Sequence, residues 1–513
     1  MVTVGDGFDG YRGAVPYAMA PPVFDNRTRD ACVVVPGIMG SVLQDTATGI
    51  RLWGVDLSML TNPLTGKGSL SSLHATAEEQ AADADTARHR PLTRIRATAL
   101  LSTPWWLPVF EGLDPYTSLT GALQQVTLAP QAVAPFPYDW RLAVSYNGAL
   151  LAHAARAHLR RWREQVAGRT DWRAAGVQLP RLVFAAHSMG GLVVRAALEQ
   201  DPELAADTRA VITIGTPFLG SAKAVIALNV LQAEARPAWL VRHVHRMAVT
   251  LPGVHDLLPG YRCLDRGLDV DRLTPAEVAR FGGNEHLAAR SLAEFARYRE
   301  HTFTMPSHRA IVGEAQDTVQ TLEEEVRFGR PVAAGRHYAF DIGEDREVLR
   351  DPRTGIPARR NTFGDGTVHE PSAKIGTEAV TYVFGQHGTL TCHDEVLRQV
   401  RRTALEREKN AYLPGDDGAR PGLTTPHLGG LIGQPVPLQV TGLDTPAGAS
   451  LSVHSATTGR PGPPLELRYG PDNPNGTLSA RFIPDAADLY RVVLDTGGHV
   501  PITQLLLVSP PDA

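Results

Sequence analysis

Residues 31–35 read Ala-Cys-Val-Val-Val and stop at Pro36-Gly37. A β-branched run without polar alternation suits a central parallel strand buried on both faces, not an edge strand. Residues 149–166, ALLAHAARAHLRRWREQV, space Leu, Ala and Trp helically and place arginines on the opposite side, the pattern of an amphipathic helix. Two more short apolar runs, at 181–187 (RLVFAAH) and 209–217 (RAVITIGTP), flank another helical stretch. Strand, helix and strand in that order predict a parallel sheet with right-handed crossovers. From about 218 to 310 the strand signal gives way to helix- and loop-like sequence, which reads as a cap inserted over the sheet. Strands return at 309–313 and 379–385, and 393–408 closes the α/β part, expected to span 24–408, as a helix.

Composition changes after that. Residues 409–430 are polar and rich in Pro and Gly, a linker signal. From 431 to 510 six or seven short runs, several of them alternating, are separated by turn residues, which predicts a small β-sandwich. No residue pattern there points to chemistry, and no partner for it is indicated.

The chain has 513 residues, 43% hydrophobic and 20% charged, with net charge −4. That is ordinary globular composition with material for two or three domains. No basic stripe argues for nucleic acid. No apolar run reaches the roughly 20 residues of a membrane span, and the first residues lack the charged and apolar regions of a secretory signal. The expectation is a soluble, cytoplasmic protein in which the Asn26 sequon carries no meaning. Cys32, Cys263 and Cys392 are too few and scattered for a disulfide framework or a zinc site. His243 and His245, at i, i+2, face different sides of a helix and read as cap histidines instead of metal ligands.

Candidate chemistry centres on LVFAAHSMGGLVVRAAL, 182–198. A strand ends at Ser188, a helix follows, and small residues stand two positions to either side, Ala186 and Gly190. An exposed nucleophile on a strand–turn–helix elbow needs small neighbours at those positions so that the two elements can approach. The plain alternative is a serine in a tight βα turn. An activated serine also needs a base, a group that orients the base, and backbone donors for the oxyanion. Asp365 lies between two glycines in NTFGDGTV, and His387 follows 22 residues later on a post-strand loop. His393, where the closing helix begins, is the second choice for the base. The Pro-Gly turn after the first strand would expose the N–H of Ile38, and Met189 would supply the second oxyanion donor.

The stretches VVVPGIMGS, FPYDWR, AHSMGGLVVR, IGTPFLGS, LPGVHDLLPGYRCLD, GDGTV and QHGTL, spread in order from about 31 to 400, resemble the lecithin:cholesterol acyltransferase family, which includes the lysosomal phospholipase A2 and the phospholipid:diacylglycerol acyltransferases. The resemblance implies an α/β-hydrolase with a helical cap and a triad of Ser188, Asp365 and His387, with Ile38 as an oxyanion donor. It implies acyl-ester chemistry on lipids, with no metal or organic cofactor, and transient contact with a membrane surface. Secreted members carry a disulfide-bounded lid with an exposed tryptophan; here Trp53 stands in that region without a cysteine pair, which leaves lipid contact and a core role both open. The sandwich has no counterpart in the familiar members. Two rival expectations remain: a carboxylesterase for small soluble esters, and an inactive hydrolase scaffold used for binding.

Overall fold

The structure, a computed structural model, describes residues 27–510 apart from 55–69, 102–104, 108–109, 114–115, 168–178, 230–243, 301–302, 344–347, 375–378, 406–421, 426–428, 442, 444–445, 447, 470–477 and 497–500. Asn26, His243 and most of the expected linker lie outside the described residues.

Six parallel strands build the central sheet: β1 (Ala31–Val35), β2 (Val133–Pro135), β3 (Leu182–His187), β4 (Thr208–Ile214), β5 (Arg309–Glu314) and β6 (Val380–Phe384). Their order across the sheet is β6-β5-β4-β3-β1-β2. β1 pairs with β3 along its whole length, Ala31 opposite Leu182 and Val35 opposite Ala186. The unbroken apolar runs have a direct cause in this geometry. Successive strand residues point to opposite faces, and both faces are covered. Val33, Val35, Phe184 and Ala186 pack with α2 (Val144–Ala167) and α3 (Met189–Gln200) on one side. Cys32, Val34, Val183 and Ala185 pack with α1 (Thr117–Val126) and α4 (Asp394–Ala404) on the other. This is the α/β-hydrolase arrangement, helices on both faces of a parallel sheet with a sharp turn leaving the central strand β3.

Between β4 and β5 the chain runs through helices, Ala222–Ala227, Pro252–His255, Pro275–Arg280 and Glu285–Glu300 among them, and two very short strands, Leu264–Asp265 and Val270–Asp271. A second excursion, between β5 and Asp365, carries the hairpin Thr321–Arg327/Arg330–Arg336, which joins those short strands in a separate four-stranded sheet. The sequence reading contains no such excursion. The Asn229 side chain ties the two excursions together, donating to Ala333 O (2.7 Å) and accepting from Ala333 N–H (2.9 Å).

The buried arginine of PYDWR is a structural device. Arg141 is fully buried and its guanidinium bonds Glu79, Asp139 and the Leu73 carbonyl, fastening residues 73–79 to the core. Burial pushes the Glu79 carboxyl up, but its bonds to Arg94 and Arg141 outweigh that and hold it at about 2.

The C-terminal region is all-β. Two four-stranded sheets enclose a core of its own, with Leu438, Val453, Phe482 and Val492 among its members. Eight strands are present among the described residues against the six or seven expected; the additional ones, Gly422–Thr424 and Gly430–Leu431, are short pieces at the end of the Pro- and Gly-rich segment read as a linker, too short to leave a periodic signal. No described helix is long and apolar enough to cross a membrane.

Candidate active site

Ser188 is the first residue after β3 and the N-cap of α3, with φ 52° and ψ −128°. A non-glycine residue held there is strained, as nucleophile elbows are. Its hydroxyl caps nothing in the helix, so it is free for another partner. Close approach explains the small neighbours. A Cβ on Gly190 would lie 2.4 Å from Pro36 O, and one on Gly37 would lie 2.8 Å from the Ser188 Cβ. Glycine is required at both. Ala186 is fully buried and shows that alanine fits two positions before the serine.

Asp365 and His387 arrive from the ends of β5 and β6. Although Asp365 lies 51 positions after Glu314 in the sequence, the excursion between them closes on itself: Gln316 N–H donates to Gly364 O at 2.9 Å, returning the chain to the strand end. The three side chains form one line. Ser188 Oγ donates to His387 Nε2 at 2.8 Å, and His387 Nδ1–H donates to Asp365 Oδ2 at 2.7 Å. The other carboxylate oxygen accepts from the N–H groups of Thr367 (3.0 Å) and Val368 (2.7 Å), so the carboxylate cannot swing. The His387 N–H also donates to the Asp365 carbonyl at 2.8 Å, locking the two backbones together. All three residues are buried.

Two backbone N–H groups beside the serine carry no bond within the described structure, those of Ile38 and Met189. In a trans peptide the C=O and N–H point in opposite directions, so the partner of each carbonyl sets the aim of the next N–H. Gly37 O accepts from Gly40 N–H at 3.1 Å, and Ser188 O accepts from Gly191 N–H at 3.0 Å. Both carbonyls are thereby drawn inward, and the Ile38 and Met189 N–H groups face away from them. Aromatic donors hold the rest of the Pro36–Ser41 turn. Tyr138 Oη donates to Pro36 O (2.9 Å), Trp53 Nε1 to Met39 O (2.8 Å) and Trp140 Nε1 to Ser41 O (3.3 Å). Met39, at φ 63°, is the strained corner they hold.

Trp53 therefore has a different place from the lipid-contact expectation. It is 1% exposed and lies edge-on to Trp140 with ring centroids 5.3 Å apart. Burial, together with the indole N–H held by the turn, gives Trp53 the core role that the sequence left open beside lipid contact. His393 acts at the start of the closing helix, where its Nδ1 accepts from Glu395 N–H at 3.2 Å and caps α4. His245 bonds the Leu228 carbonyl at 3.0 Å, a structural contact.

Two residues of the hydrogen-bonded surroundings of Ser188, Tyr116 and His187, are absent from the candidates of the sequence reading. Gly37 N–H donates to Tyr116 Oη (2.8 Å), which donates to His187 Nδ1 (3.0 Å), and His187 Nε2–H donates to the His387 carbonyl (3.0 Å). Burial, helped by the facing His387, pushes His187 down to about 3. Burial also pushes His369, beyond the Asp365 turn, down to about 4. Burial thus favours the neutral imidazole at both positions beside Asp365 and His387. His187 stood next to the candidate nucleophile in the motif itself, which was a signal; nothing local marks Tyr116. Cys32 is buried and its thiol is pushed up to about 12, the character of a packing residue. Among the described residues no group of His, Cys, Asp and Glu is placed to hold a metal ion.

The family model of lecithin:cholesterol acyltransferase matches residues 52–269, which bears out the resemblance carried by the motifs. The matched span contains Ser188; Asp365 and His387 lie beyond it. No curated protein matches the chain. Among solved structures, the chain is similar to the Tle4–Tli4 complex (15% identity, 73% of this chain and 96% of that one, TM-score 0.40). It is also similar to the Bacillus licheniformis lipase BlEst2 in its propeptide form (13%, 94% and 74%, 0.30) and to phospholipase PlaB from Legionella pneumophila (11%, 77% and 86%, 0.24).

Proposed function

We propose, from a chain that matches the lecithin:cholesterol acyltransferase family over residues 52–269, that this protein is a serine-dependent lipid acyl hydrolase able to pass the acyl group to an alcohol. Ser188 attacks an ester carbonyl while His387 Nε2 takes the hydroxyl proton, and Asp365 holds the imidazole tautomer and stabilises the imidazolium. The N–H groups of Ile38 and Met189 receive the oxyanion, each worth roughly 3–4 kcal/mol. His387 gives that proton to the departing alcohol as the ester C–O bond breaks and the acyl-enzyme forms on Ser188; it then takes a proton from the incoming water or alcohol, which displaces Ser188, and returns it to Ser188 Oγ. The observation that carries the proposal is the continuous Ser188–His387–Asp365 line, at 2.8 and 2.7 Å, beside two unbonded N–H groups.

A fluorophosphonate probe, which forms a covalent adduct with activated serines, tests the mechanism. The wild type is expected to label at Ser188 and Ser188→Ala to label nowhere. An unlabelled wild type would overturn the assignment and favour an inactive scaffold. Substrate class is tested separately with esters of short and long acyl chains and with a panel of phospholipids. Turnover confined to short soluble esters would make the protein a carboxylesterase. Hydrolysis is the expected default, with acyl transfer emerging when a lipid alcohol is concentrated with the substrate in mixed micelles. Ester product dominating free fatty acid at low alcohol content would identify a dedicated acyltransferase.

A further inference from the structure

The proposed chemistry needs three separately built pieces in one register: the oxyanion turn after β1, the elbow after β3 and the base loop after β6. We infer that Tyr116 and His187 are positioning residues that lock these three pieces together, with His187 held as one neutral tautomer throughout the reaction. The inference rests on the serine-hydrolase reading above and adds two residues to it.

The polarity of the line is forced at both ends. At one end stands a backbone N–H, that of Gly37, which can only donate, so Tyr116 Oη accepts it at 2.8 Å. At the other end stands the His387 carbonyl, which can only accept, so His187 Nε2 carries the hydrogen at 3.0 Å. With its Nε2 protonated, a neutral His187 has a bare Nδ1, and the remaining Tyr116 hydroxyl hydrogen points to it at 3.0 Å. Each atom of the line has one role, and the opposite tautomer would set a lone pair against a carbonyl oxygen. Tyr116 and His187 are each 2% exposed, so water cannot substitute cheaply for a lost member.

The consequences reach each catalytic piece. The Gly37 N–H bond fixes the near side of the turn whose next N–H is that of Ile38. His187 precedes Ser188 directly and fixes the elbow. Its bond to the His387 backbone fixes the residue that must serve as base on one side and meet Asp365 on the other. The two imidazoles lie 4.9 Å apart. A second cation at that distance would oppose the imidazolium that forms on His387 when Ser188 gives up its proton. A neutral His187 does not.

Three substitutions separate the links. Tyr116→Phe is nearly isosteric and removes only the hydroxyl. His187→Asn places an acceptor near the former Nδ1 and loses the bond to the base loop. His187→Gln places an amide N–H near the former Nε2 and loses the bond to Tyr116. The measurement is kcat and KM on a short soluble ester, with kcat expressed per fluorophosphonate-titrated site, alongside Tm. Because a displacement of about 1 Å in a reacting constellation costs up to 10²-fold, Tyr116→Phe and His187→Asn are expected to lower kcat at least about tenfold with KM within about twofold. His187→Gln should retain more than His187→Asn. The double variant Tyr116→Phe/His187→Gln should fall little further than the worse of its two singles, since both break one line. Wild-type kcat per titrated site in Tyr116→Phe and in His187→Gln, whatever the change in Tm, would overturn the inference. Failure of the wild type to label would instead bring down the serine-hydrolase reading, and this inference with it.

Discussion

At the scale of single residues, the proposed mechanism divides side chains that react from side chains that aim. The division predicts graded losses. Ser188→Ala and His387→Ala should each cost about 10⁴ to 10⁶ in kcat, whereas His393→Ala should cost only helix-cap stability, roughly 1 kcal/mol. Asp365→Asn should cost about 10⁴, because the amide favours the wrong imidazole tautomer. Steady-state kinetics on a soluble ester reads all four, and a His393 variant more damaged than the His387 variant would move the base. Trp53 is the subtler case. Its Nε1–H fixes Met39 O in the oxyanion turn, and phenylalanine would leave that buried carbonyl without its donor, a penalty of roughly 1–3 kcal/mol. Trp53→Phe should lower kcat about tenfold, well short of the 10²–10³ seen when an oxyanion donor is lost outright. If it instead raises KM for micellar lipid and leaves kcat on soluble ester untouched, Trp53 belongs to lipid docking after all. The three residues of the proposed triad could be singled out in the sequence because each sits in a short segment with its own turn chemistry: Ala-x-Ser-x-Gly, Gly-Asp-Gly and a histidine just past a strand. Tyr116 could not, because a tyrosine 71 positions before His187 becomes its neighbour only once α1 has packed against the sheet.

At the scale of elements, the strand–turn–helix elbow works because β3, α3 and the turn after β1 meet at backbone distance. The contact is one-sided. A Cβ at position 190 meets the Pro36 and Val35 carbonyls at 2.4 and 2.7 Å, and these backbone atoms belong to the turn that carries Ile38. Gly190→Ala should therefore push α3 off the turn, lower stability by about 1–3 kcal/mol as overpacking does, and cut kcat by more than the loss in folded protein explains. Ala186→Gly should leave kcat within about threefold, since position 186 already accepts a methyl group and loses only packing and backbone stiffness. Thermal denaturation together with active-site titration measures both; an active, stable Gly190→Ala protein would mean the elbow is looser than its geometry. The strands of the central sheet were legible because burial on both faces leaves unbroken apolar runs. The hairpin excursion before Asp365 was not. Thr321–Arg327 reads TLEEEVR, with burial fading from fully buried to exposed along it, so its polar half masks a strand pattern of period two.

At the scale of the whole molecule, buried histidines set a pH dependence of stability. Burial pushes His187 down to about 3 and His255 and His369 to about 4. Each stays neutral when folded but takes up a proton in the unfolded chain below about pH 6.5. Their stabilising contributions are complete above pH 6.5 and are lost as pH falls toward 4, each at up to about 1.4 kcal/mol per pH unit. Asp256, raised to about 6 by burial, works in the opposite sense, its contribution fading as pH rises from about 4 to 6. Burial also lowers His158, His245 and His393 and raises Asp139, so six histidines against two carboxyls predict a Tm that falls on acidification from pH 6.5 to 4.5; a flat Tm across that range would show that the histidines are solvated. The sandwich poses the last question of scale. Its core draws on residues from Leu423 to Val508, while the two cores flanking the central sheet end at Ala404, so neither borrows a side chain from the other. Separate cores predict separate folding. Two contacts qualify this: a Cβ on Gly422 would lie 3.0 Å from the carbonyl of Ala315, the residue that follows β5 on the way to Asp365, and the strand Ile502–Ser509 lies against Phe110–Leu113, which in turn lies on the segment His387–Cys392. A chain ending at residue 420 should accordingly remain soluble and label with the fluorophosphonate probe. It should hydrolyse a soluble ester at more than about a third of the full-length rate, because uncovering these two contacts removes packing and leaves the Gln316–Gly364 closure and the triad hydrogen bonds in place. An insoluble product, or a folded one that no longer labels, would make the sandwich a structural part of the hydrolase, acting through the strand end that leads to its acid.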